Sequence, residues 1–256
     1  MNLVKVIKHN LYEVIKDYER LMQFILMIKR GYYRLFLRRF HRCSINRYFE
    51  LNSIKKLQLG CGPNVLEGWL NTDKDPIHKR GILYIDVTKA IPFNDNTFDY
   101  VFHEHLIEHL SYGQGVKLIQ ECWRILKFGG KLRVATPDLN FIMNFYNQEK
   151  SEIRTKYLHW IVDTFMPGIG IYLDTFVINN LFYNFGHKFI YDSKLLRHIF
   201  EESGFINIKQ SRVRESDDLN FQNIDQHGVL VGSEELNDLE TMVLEGTKPG
   251  SKDLIL

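Results

Sequence analysis

The chain has 256 residues, of which 45% are hydrophobic and 13% aromatic, and its formal net charge is +2. This is the composition of a soluble globular protein with a large core, organised as one domain with additions or as two small domains. Residues 1–50 hold 11 Lys/Arg and 4 Asp/Glu, and the remainder holds 22 Lys/Arg and 27 Asp/Glu. This mildly acidic body argues against a protein that wraps nucleic acid.

Cysteine usage and the start of the chain predict a compartment. Cys43, Cys61 and Cys122 are too few for a disulfide framework, and no C-x-x-C pair is present to hold a structural zinc. No signal-peptide pattern appears at the start, and the longest early apolar stretch, FILMI, is too short to span a bilayer. We therefore expect a cytoplasmic protein that is neither secreted nor integral to a membrane.

The first 50 residues read as a basic helical extension. Apolar side chains recur at steps of three and four over residues 1–42, which predicts a helix. From Lys29 to Arg47 there are seven Lys/Arg and no acidic residue, interleaved with Tyr and Phe. Such a segment suits peripheral contact with the anionic inner face of a membrane, a partner's groove, or, more commonly, packing on its own domain with solvated arginines. The sequence leaves these alternatives open.

Strands and helices alternate in residues 51–256. Strands are predicted at KKLQLGCG, WLNTD, GILYIDV, FDYVFH and KLRVAT, with an amphipathic helix at QGVKLIQECWRILKFGG that ends at Gly129 and Gly130. Residues 138–192 interrupt this alternation with an aromatic-rich helical insertion, after which a helix and two strands follow. The pattern predicts an α/β fold with a doubly wound, Rossmann-like sheet, in which residues 138–192 form a lid over the substrate.

The glycine turn at residues 60–62, Gly-Cys-Gly, is the first candidate binding element. Glycines at a strand-to-helix turn let backbone N–H groups approach an anionic ligand closely. The third glycine of a dinucleotide fingerprint is replaced by Val65, and no P-loop lysine follows. Asp73 and Asp86 end the next two predicted strands, where a carboxylate can bind ribose hydroxyls or an adenine edge. Either one alone is equally well a turn or helix cap.

Four segments, LQLGCGPN, LNTDKDP, IPFNDNTFDYVFHEHLIEHL and ECWRILKFGGKLRVATPDL, occur in this order between about residues 55 and 138. Together they resemble the class I S-adenosylmethionine-dependent methyltransferases of the methyltransferase type 11 branch. The rest of the chain is weakly similar to small bacterial methyltransferases, some of them associated with surface glycan synthesis. The resemblance implies an enzyme that uses S-adenosylmethionine to methylate a small molecule or a glycan, at a hydroxyl group.

The resemblance also assigns residues to the cofactor. Those implied are Gly60, Cys61 and Gly62 for the methionine end, Asp73 for the ribose, and Asp86 with Val87 for the adenine. Two positions depart from the family, because Gln58 replaces an acidic residue and Asn64 replaces the third glycine. These departures leave open a binding or scaffold protein that keeps the fold without turnover, and the basic first 50 residues leave open a methyltransferase that acts on protein or lipid at a membrane surface. About ten residues separate Gly62 from Asp73, so the first crossover helix is expected to be a turn or two.

The heptad HEHLIEH, residues 103–109, contains the H-x-x-E-H spacing of the inverted zinc proteases. Such a site needs the motif inside a long helix, with a third ligand beyond it. Here a predicted strand leads into the motif and glycines follow it, so we expect no catalytic metal.

The same position, at the carboxyl end of the fourth strand, places His103, Glu104 and His105 beside the methyl donor. His103 is expected to contact the cofactor. His105 is the candidate general base, with Glu104 and then His187 as further candidates. Glu108 and His109 are expected to have structural roles.

Overall fold

In the computed structural model, the described residues are 21, 42–75, 81–147 and 149–251. The chain divides into two units, Met1–Leu51 and Asn52–Leu256. In the first unit, residues 42–51 form helix α1, and most of the predicted basic extension lies outside the described residues. Among the described residues, no helix is both long enough and apolar enough to cross a membrane.

The second unit is built on a seven-stranded sheet. Its strands are β1 (Lys56–Leu59), β2 (Leu70–Asp73), β3 (Leu83–Tyr84), β4 (Phe98–Glu104), β5 (Leu126–Pro137), β6 (Ile206–Ser211) and β7 (Thr241–Thr247). The order is β3-β2-β1-β4-β5-β7-β6, in which β7 runs antiparallel to both of its neighbours and the other pairs are parallel. The strand order reverses between β1 and β4, as in doubly wound folds. The predicted Rossmann-like sheet is confirmed.

The central strands are apolar because both faces of the sheet are covered. Leu57 and Leu59 on β1 and Val101 and Phe102 on β4 are all 0% exposed. A strand buried on both faces reads as a nearly continuous apolar run. Burying each such side chain stabilises the fold by about 1.5–3 kcal/mol. This core fixes the carboxyl ends of β1 and β4 next to each other.

The helices are α2 (Tyr112–Ile125), α3 (Leu139–Asn147), α4 (Glu152–Phe165), α5 (Asp174–Tyr183), α6 (Ser193–Glu202), α7 (His227–Leu230) and α8 (Glu234–Glu240), with a short 3-10 turn at Ile107–His109. Helices α3 to α5 lie within the predicted insertion. They share a core that includes Phe145, Tyr157, Ile161 and Leu181. The insertion is therefore helical, as predicted, and its role as a lid stays a prediction.

Two local predictions differ from the structure. Residues 61–69, between β1 and β2, form turns without a helix, because ten residues are too few for a helical crossover. Helix α2 ends at Ile125, four residues before Gly129, because β5 already begins at Leu126. Leu126, which the sequence assigned to the helix, pairs with Phe98 of β4.

Two glycines in α2, Gly115 and Gly113, allow a test of how closely this helix packs on Tyr191. A Cβ atom on Gly115 would lie 2.2 Å from the hydroxyl of the buried Tyr191, whereas one on Gly113 would meet nothing within 4 Å. We expect Gly115→Ala to lower the free energy of unfolding in urea by about 1–3 kcal/mol through overpacking. Gly113→Ala, the control, should change it by less than about 1 kcal/mol, in the stabilising direction. Equal effects of the two substitutions would contradict the close contact.

Candidate active site

The glycine turn has the backbone that only glycine adopts easily. Gly60 and Gly62 have φ of +62° and +51°. A Cβ on Gly60 would lie 2.7 Å from Leu106 Cδ1, so a side chain here would strain the left-handed backbone and displace Leu106. The Gly62 N–H donates to Asp73 Oδ2 (2.8 Å), which ties the turn to the end of β2. A Cβ on Gly62 would meet nothing within 4 Å, so the turn faces open space there.

Gln58 is the most informative residue beside this turn. It is 2% exposed, and its Oε1 atom has no hydrogen-bond partner among the described residues. A buried carbonyl oxygen without a partner loses its hydration, which costs about 1–3 kcal/mol. Gln58 therefore presents an acceptor that a ligand's N–H donor would satisfy. This is the position where the family resemblance expects an acidic residue.

Asp73 ends β2, and Asp86 follows β3, the strand that pairs with β2. The Asp73 carbonyl accepts from the Ile85 N–H (3.0 Å). Asp86 and Val87 follow in the loop after β3, and Asp86 Oδ1 accepts from the Thr88 hydroxyl (2.6 Å). Although burial raises the pKa of Asp86, the hydrogen bonds from Thr88 hold it below its ordinary value. The carboxylate is therefore charged at neutral pH.

A cavity of about 400 Å³ adjoins the glycine turn. It is bounded by the turn, the carboxyl end of β4, helices α4 and α5, and the segment that enters α7. Of the predicted site residues, six contribute to its wall: Gly60, Cys61, Gly62, Glu104, His105 and His187. Asp73, Asp86 and Val87 lie outside this wall, on the β2–β3 side of the turn. The residues predicted to bind the methionine end of the cofactor and all three candidate bases therefore line the same cavity.

His105, which lines this cavity, forms a buried pair with Glu108 behind it. His105 Nδ1 lies 3.1 Å from Glu108 Oε1, and His105 Nε2 lies 3.2 Å from the Thr241 hydroxyl. Glu108 Oε2 accepts from the Thr136 hydroxyl (3.0 Å). Burial alone would lower the pKa of His105, but the hydrogen bond and charge of Glu108 outweigh it and raise the pKa. Conversely, His105 holds the pKa of Glu108 at about 2 despite burial.

Glu104 joins three parts of the cavity wall. Its carboxylate accepts from the backbone N–H groups of Gln226 (3.1 Å) and His227 (3.0 Å), and Asn64 Nδ2 lies 3.4 Å away. Burial raises the pKa of Glu104, although the charge of His105 and the N–H of His227 oppose that shift. Asn64, the second departure from the family, thereby links the glycine turn to β4.

His187 reaches the cavity from the segment after α5. The N–H groups of Lys188 and Phe189 donate to the Glu108 carbonyl (2.8 and 3.2 Å), which holds this segment against the heptad. His187 Nδ1 lies 2.5 Å from the Leu181 carbonyl, and burial lowers the pKa of His187. One ligand atom from each of Glu108, His109 and His187 lies within 4.8 Å of the other two. His187, which the sequence predicted only as a candidate base, is thus also a potential third metal ligand.

His103 does not lie with the other site residues. It is 0% exposed, does not line the cavity, and both of its ring nitrogens lack a hydrogen-bond partner among the described residues. Burial lowers the pKa of His103 to about 4. Successive side chains of a strand point to opposite faces, so His103 faces away from Glu104. The expectation that His103 contacts the cofactor was based on nearness along the chain and is not supported.

Sequence reasoning missed two cavity residues near the end of the chain. The His227 ring stacks on His105 with centroids 3.8 Å apart, and burial with the charge of His105 lowers the pKa of His227 to about 3. Glu240, just before β7, accepts from the Tyr157 hydroxyl. Both lie more than 110 residues from the heptad in sequence, and no local motif marks them.

Another missed element is a buried ion network that holds the loop before α7. Arg133 on β5 is 0% exposed and forms ion pairs with Asp225 and Glu245. It also donates to the carbonyls of Arg212 (3.2 Å) and Glu215 (2.9 Å). Arginine is rarely fully buried unless it is paired, so this network was not expected.

Residues 61–134 match a family described as a methyltransferase domain. This part of the chain is a methyltransferase domain, the enzyme class that the sequence resembles. The match begins within the glycine turn and ends in β5, so it contains the heptad and the β4 end of the cavity. The predicted enzyme class and the predicted cofactor, S-adenosylmethionine, are confirmed.

Solved methyltransferase structures are similar to this chain at low identity. One, a SAM-dependent methyltransferase from Archaeoglobus fulgidus, is 19% identical with a TM-score of 0.43, covering 85% of this chain and 100% of that one. Another, from Thermotoga maritima and described as a possible histamine N-methyltransferase, is 14% identical with a TM-score of 0.44, covering 85% and 98%. Phosphoethanolamine N-methyltransferase 2 of Haemonchus contortus, in complex with S-adenosyl-L-methionine, is 18% identical with a TM-score of 0.42, covering 81% and 52%. The comparison with curated proteins gives no significant match.

The absence of a metal stays a prediction, and the cluster of Glu108, His109 and His187 gives it a direct test. Both carboxylate oxygens of Glu108 already face polar partners, His105 and Thr136. We therefore expect the purified protein to carry well below one equivalent of zinc by elemental analysis, and chelators to leave its Tm unchanged. Stoichiometric zinc that disappears in His187→Ala, with the exposed-site variant His198→Ala as control, would contradict this expectation.

Proposed function

We propose that the enzyme transfers the methyl group of S-adenosylmethionine to a hydroxyl group of a small-molecule or glycan acceptor that binds in the cavity. One observation carries this proposal: the glycine turn and His105, which is paired with Glu108, line the same cavity. Methyl transfer is an in-line displacement, so the protein must mainly hold donor and acceptor together. A hydroxyl acceptor also needs a base, and His105 supplies it.

The residues beside the glycine turn fit the cofactor. The left-handed Gly60 and Gly62 allow a ligand's carboxylate to approach backbone N–H groups. The buried Oε1 of Gln58 would accept from the ammonium group of the methionine end. Asp73 would hold the ribose, and Asp86 with Val87 the adenine. When bound, S-adenosylmethionine supplies an activated methyl group.

His105 would accept the proton of the acceptor hydroxyl. Glu108 faces Nδ1, so this nitrogen carries the hydrogen in the neutral ring and Nε2 keeps its lone pair. Nε2 lies beside the Thr241 hydroxyl, which can rotate away when an acceptor hydroxyl arrives. The Glu108 carboxylate stabilises the imidazolium that then forms. Glu104 and His187 remain weaker candidates, since Glu104 already accepts two backbone N–H bonds and His187 Nδ1 faces a carbonyl.

The cofactor assignment is tested by calorimetry with two ligands. S-adenosylhomocysteine has the methionine end, whereas 5′-methylthioadenosine lacks it. We expect Gln58→Met to weaken S-adenosylhomocysteine binding by about 1–3 kcal/mol, since the ammonium loses its acceptor, and to leave methylthioadenosine binding unchanged. Asp86→Ala should weaken both ligands. Gln210→Met, on the exposed strand β6, is the control, and a wild type that is folded yet binds neither ligand would remove the cofactor assignment.

The role of His105 is tested first by its titration. Its ring faces Glu108, Glu104, Glu240 and His227. The raised pKa means that His105 is protonated below a midpoint above about 6.5 and becomes a base as the pH rises through it. In Glu108→Gln, burial remains and the neighbouring charge is lost, so the pKa should fall. Histidine NMR titration measures both values, and a pKa that does not move would contradict the pairing.

The same assignment predicts a defect in turnover. His105→Ala should keep S-adenosylhomocysteine affinity within a few-fold while methyl transfer, followed as S-adenosylhomocysteine formed with a panel of alcohols and phenols, falls by about 100-fold. The control is His198→Ala, which changes a histidine on the exposed side of α6. Full activity of folded His105→Ala would transfer the role of base to Glu104 or His187.

A further inference from the structure

The charge of the cavity restricts which acceptors can enter it. The carboxylates at its polar end are engaged within the protein. Glu104 accepts from two backbone N–H groups and Glu240 accepts from Tyr157, whereas Glu108 lies beside His105 and does not line the cavity. An ammonium group on an acceptor would therefore find no carboxylate awaiting a partner. Desolvating a cation without a partner is strongly unfavourable.

An anionic acceptor is disfavoured for a separate reason. Among the described residues that line the cavity, none is Lys or Arg. The histidine closest to the base, His227, has a pKa lowered to about 3 by burial and by the charge of His105, so it is neutral at physiological pH. A phosphate or carboxylate group in this cavity would lie beside Glu104 and Glu240, and the charge of His105 is already paired with Glu108.

The opposite end of the cavity is apolar and largely aromatic. Helices α4 and α5 and the segments after them contribute Tyr157, Trp160, Ile161, Phe165, Leu181 and Phe185 to the wall. The ring of Trp160 lies 5.4 Å from that of Phe165, and the ring of Phe165 lies 5.0 Å from that of Phe185, each nearly perpendicular to the next. Such a wall binds flat apolar groups well. A free sugar would leave most of its hydroxyls without partners against it.

We infer that the acceptor is an uncharged molecule with a flat apolar body and a hydroxyl group at one end, of the substituted phenol class. The body packs against the aromatic wall, and the hydroxyl points to His105 and the glycine turn. This inference rests on the proposed function. It narrows the acceptor from small molecules and glycans in general to uncharged, largely apolar small molecules. The insertion then determines which acceptor is used, and the sheet end performs the transfer.

The test compares four probes of similar reach on the full-length protein saturated with S-adenosylhomocysteine, by calorimetry. They are 4-propylphenol (neutral), 4-propylbenzoate (anionic), 3-phenylpropylamine (cationic) and methyl α-glucoside (polar). We expect 4-propylphenol to bind at least about 10-fold more tightly than each of the others, since neither charge nor extra hydroxyls find a partner. Phe165→Ala should weaken 4-propylphenol by about 10-fold through loss of the aromatic wall.

A charge-switch variant makes the test independent of any loss of folding. Leu230 lines the cavity and is 47% exposed, so an arginine there can reach solvent. Leu230→Arg should increase 4-propylbenzoate affinity by about 10-fold, because it supplies the missing cation. Leu219→Arg, at an 81% exposed position outside the cavity wall, should not change it.

Three outcomes would overturn the inference: tightest binding of the benzoate or the amine, tightest binding of the glucoside, or binding of none of the four to protein that binds S-adenosylhomocysteine. In each of these cases the methyl-donor site stands and only the acceptor class is wrong. Failure of S-adenosylhomocysteine itself to bind folded protein is a different result, which contradicts the proposed function.

Discussion

The buried guanidinium group of Arg133 fixes the geometry of the site. This side chain stands in the centre of β5 and pairs with Asp225 and Glu245 without exposure to solvent. Asp225 also accepts from the Arg214 N–H (2.7 Å), so a single carboxylate closes the loop that precedes α7. Removing one partner of such a buried pair leaves an uncompensated charge and costs about 3–5 kcal/mol. The loop is therefore held as firmly as the sheet beneath it.

The next two residues of this loop contact the cavity wall. Gln226 and His227 come directly after Asp225 and turn their N–H groups to Glu104 at the end of β4. His227 then covers one face of the His105 ring. A chain of contacts thus runs from the core through a surface loop to the candidate base. Groups held in this way need little rearrangement when ligands bind, which favours catalysis by positioning.

Much of the fold could be predicted from the sequence, because local patterns determine it. The apolar runs of β1 and β4, the glycine turn and the helical insertion all appear as short-range signals. The site could be predicted only in part. His105 and Glu104 follow a recognisable strand, whereas His227 and Glu240 reach the cavity through pairings of β7 and the Arg133 network, which link residues more than 90 positions apart. The contact of His103 with the cofactor stays a prediction, and the alternation along β4 turns its buried ring to the face opposite Glu104.

The backbone of His105 gives the site one more property. Its φ is +46°, and its N–H still donates to the Ala135 carbonyl (3.0 Å), so the chain leaves β4 through a left-handed residue. A side-chain-bearing residue in this conformation costs about 1–2 kcal/mol, a cost that glycine would avoid. The turn also breaks the strand's alternation, so that residues 104 and 105 both line the cavity. Folding stability alone would favour a glycine here, and the histidine is better explained by what its ring does in the cavity than by the needs of the fold.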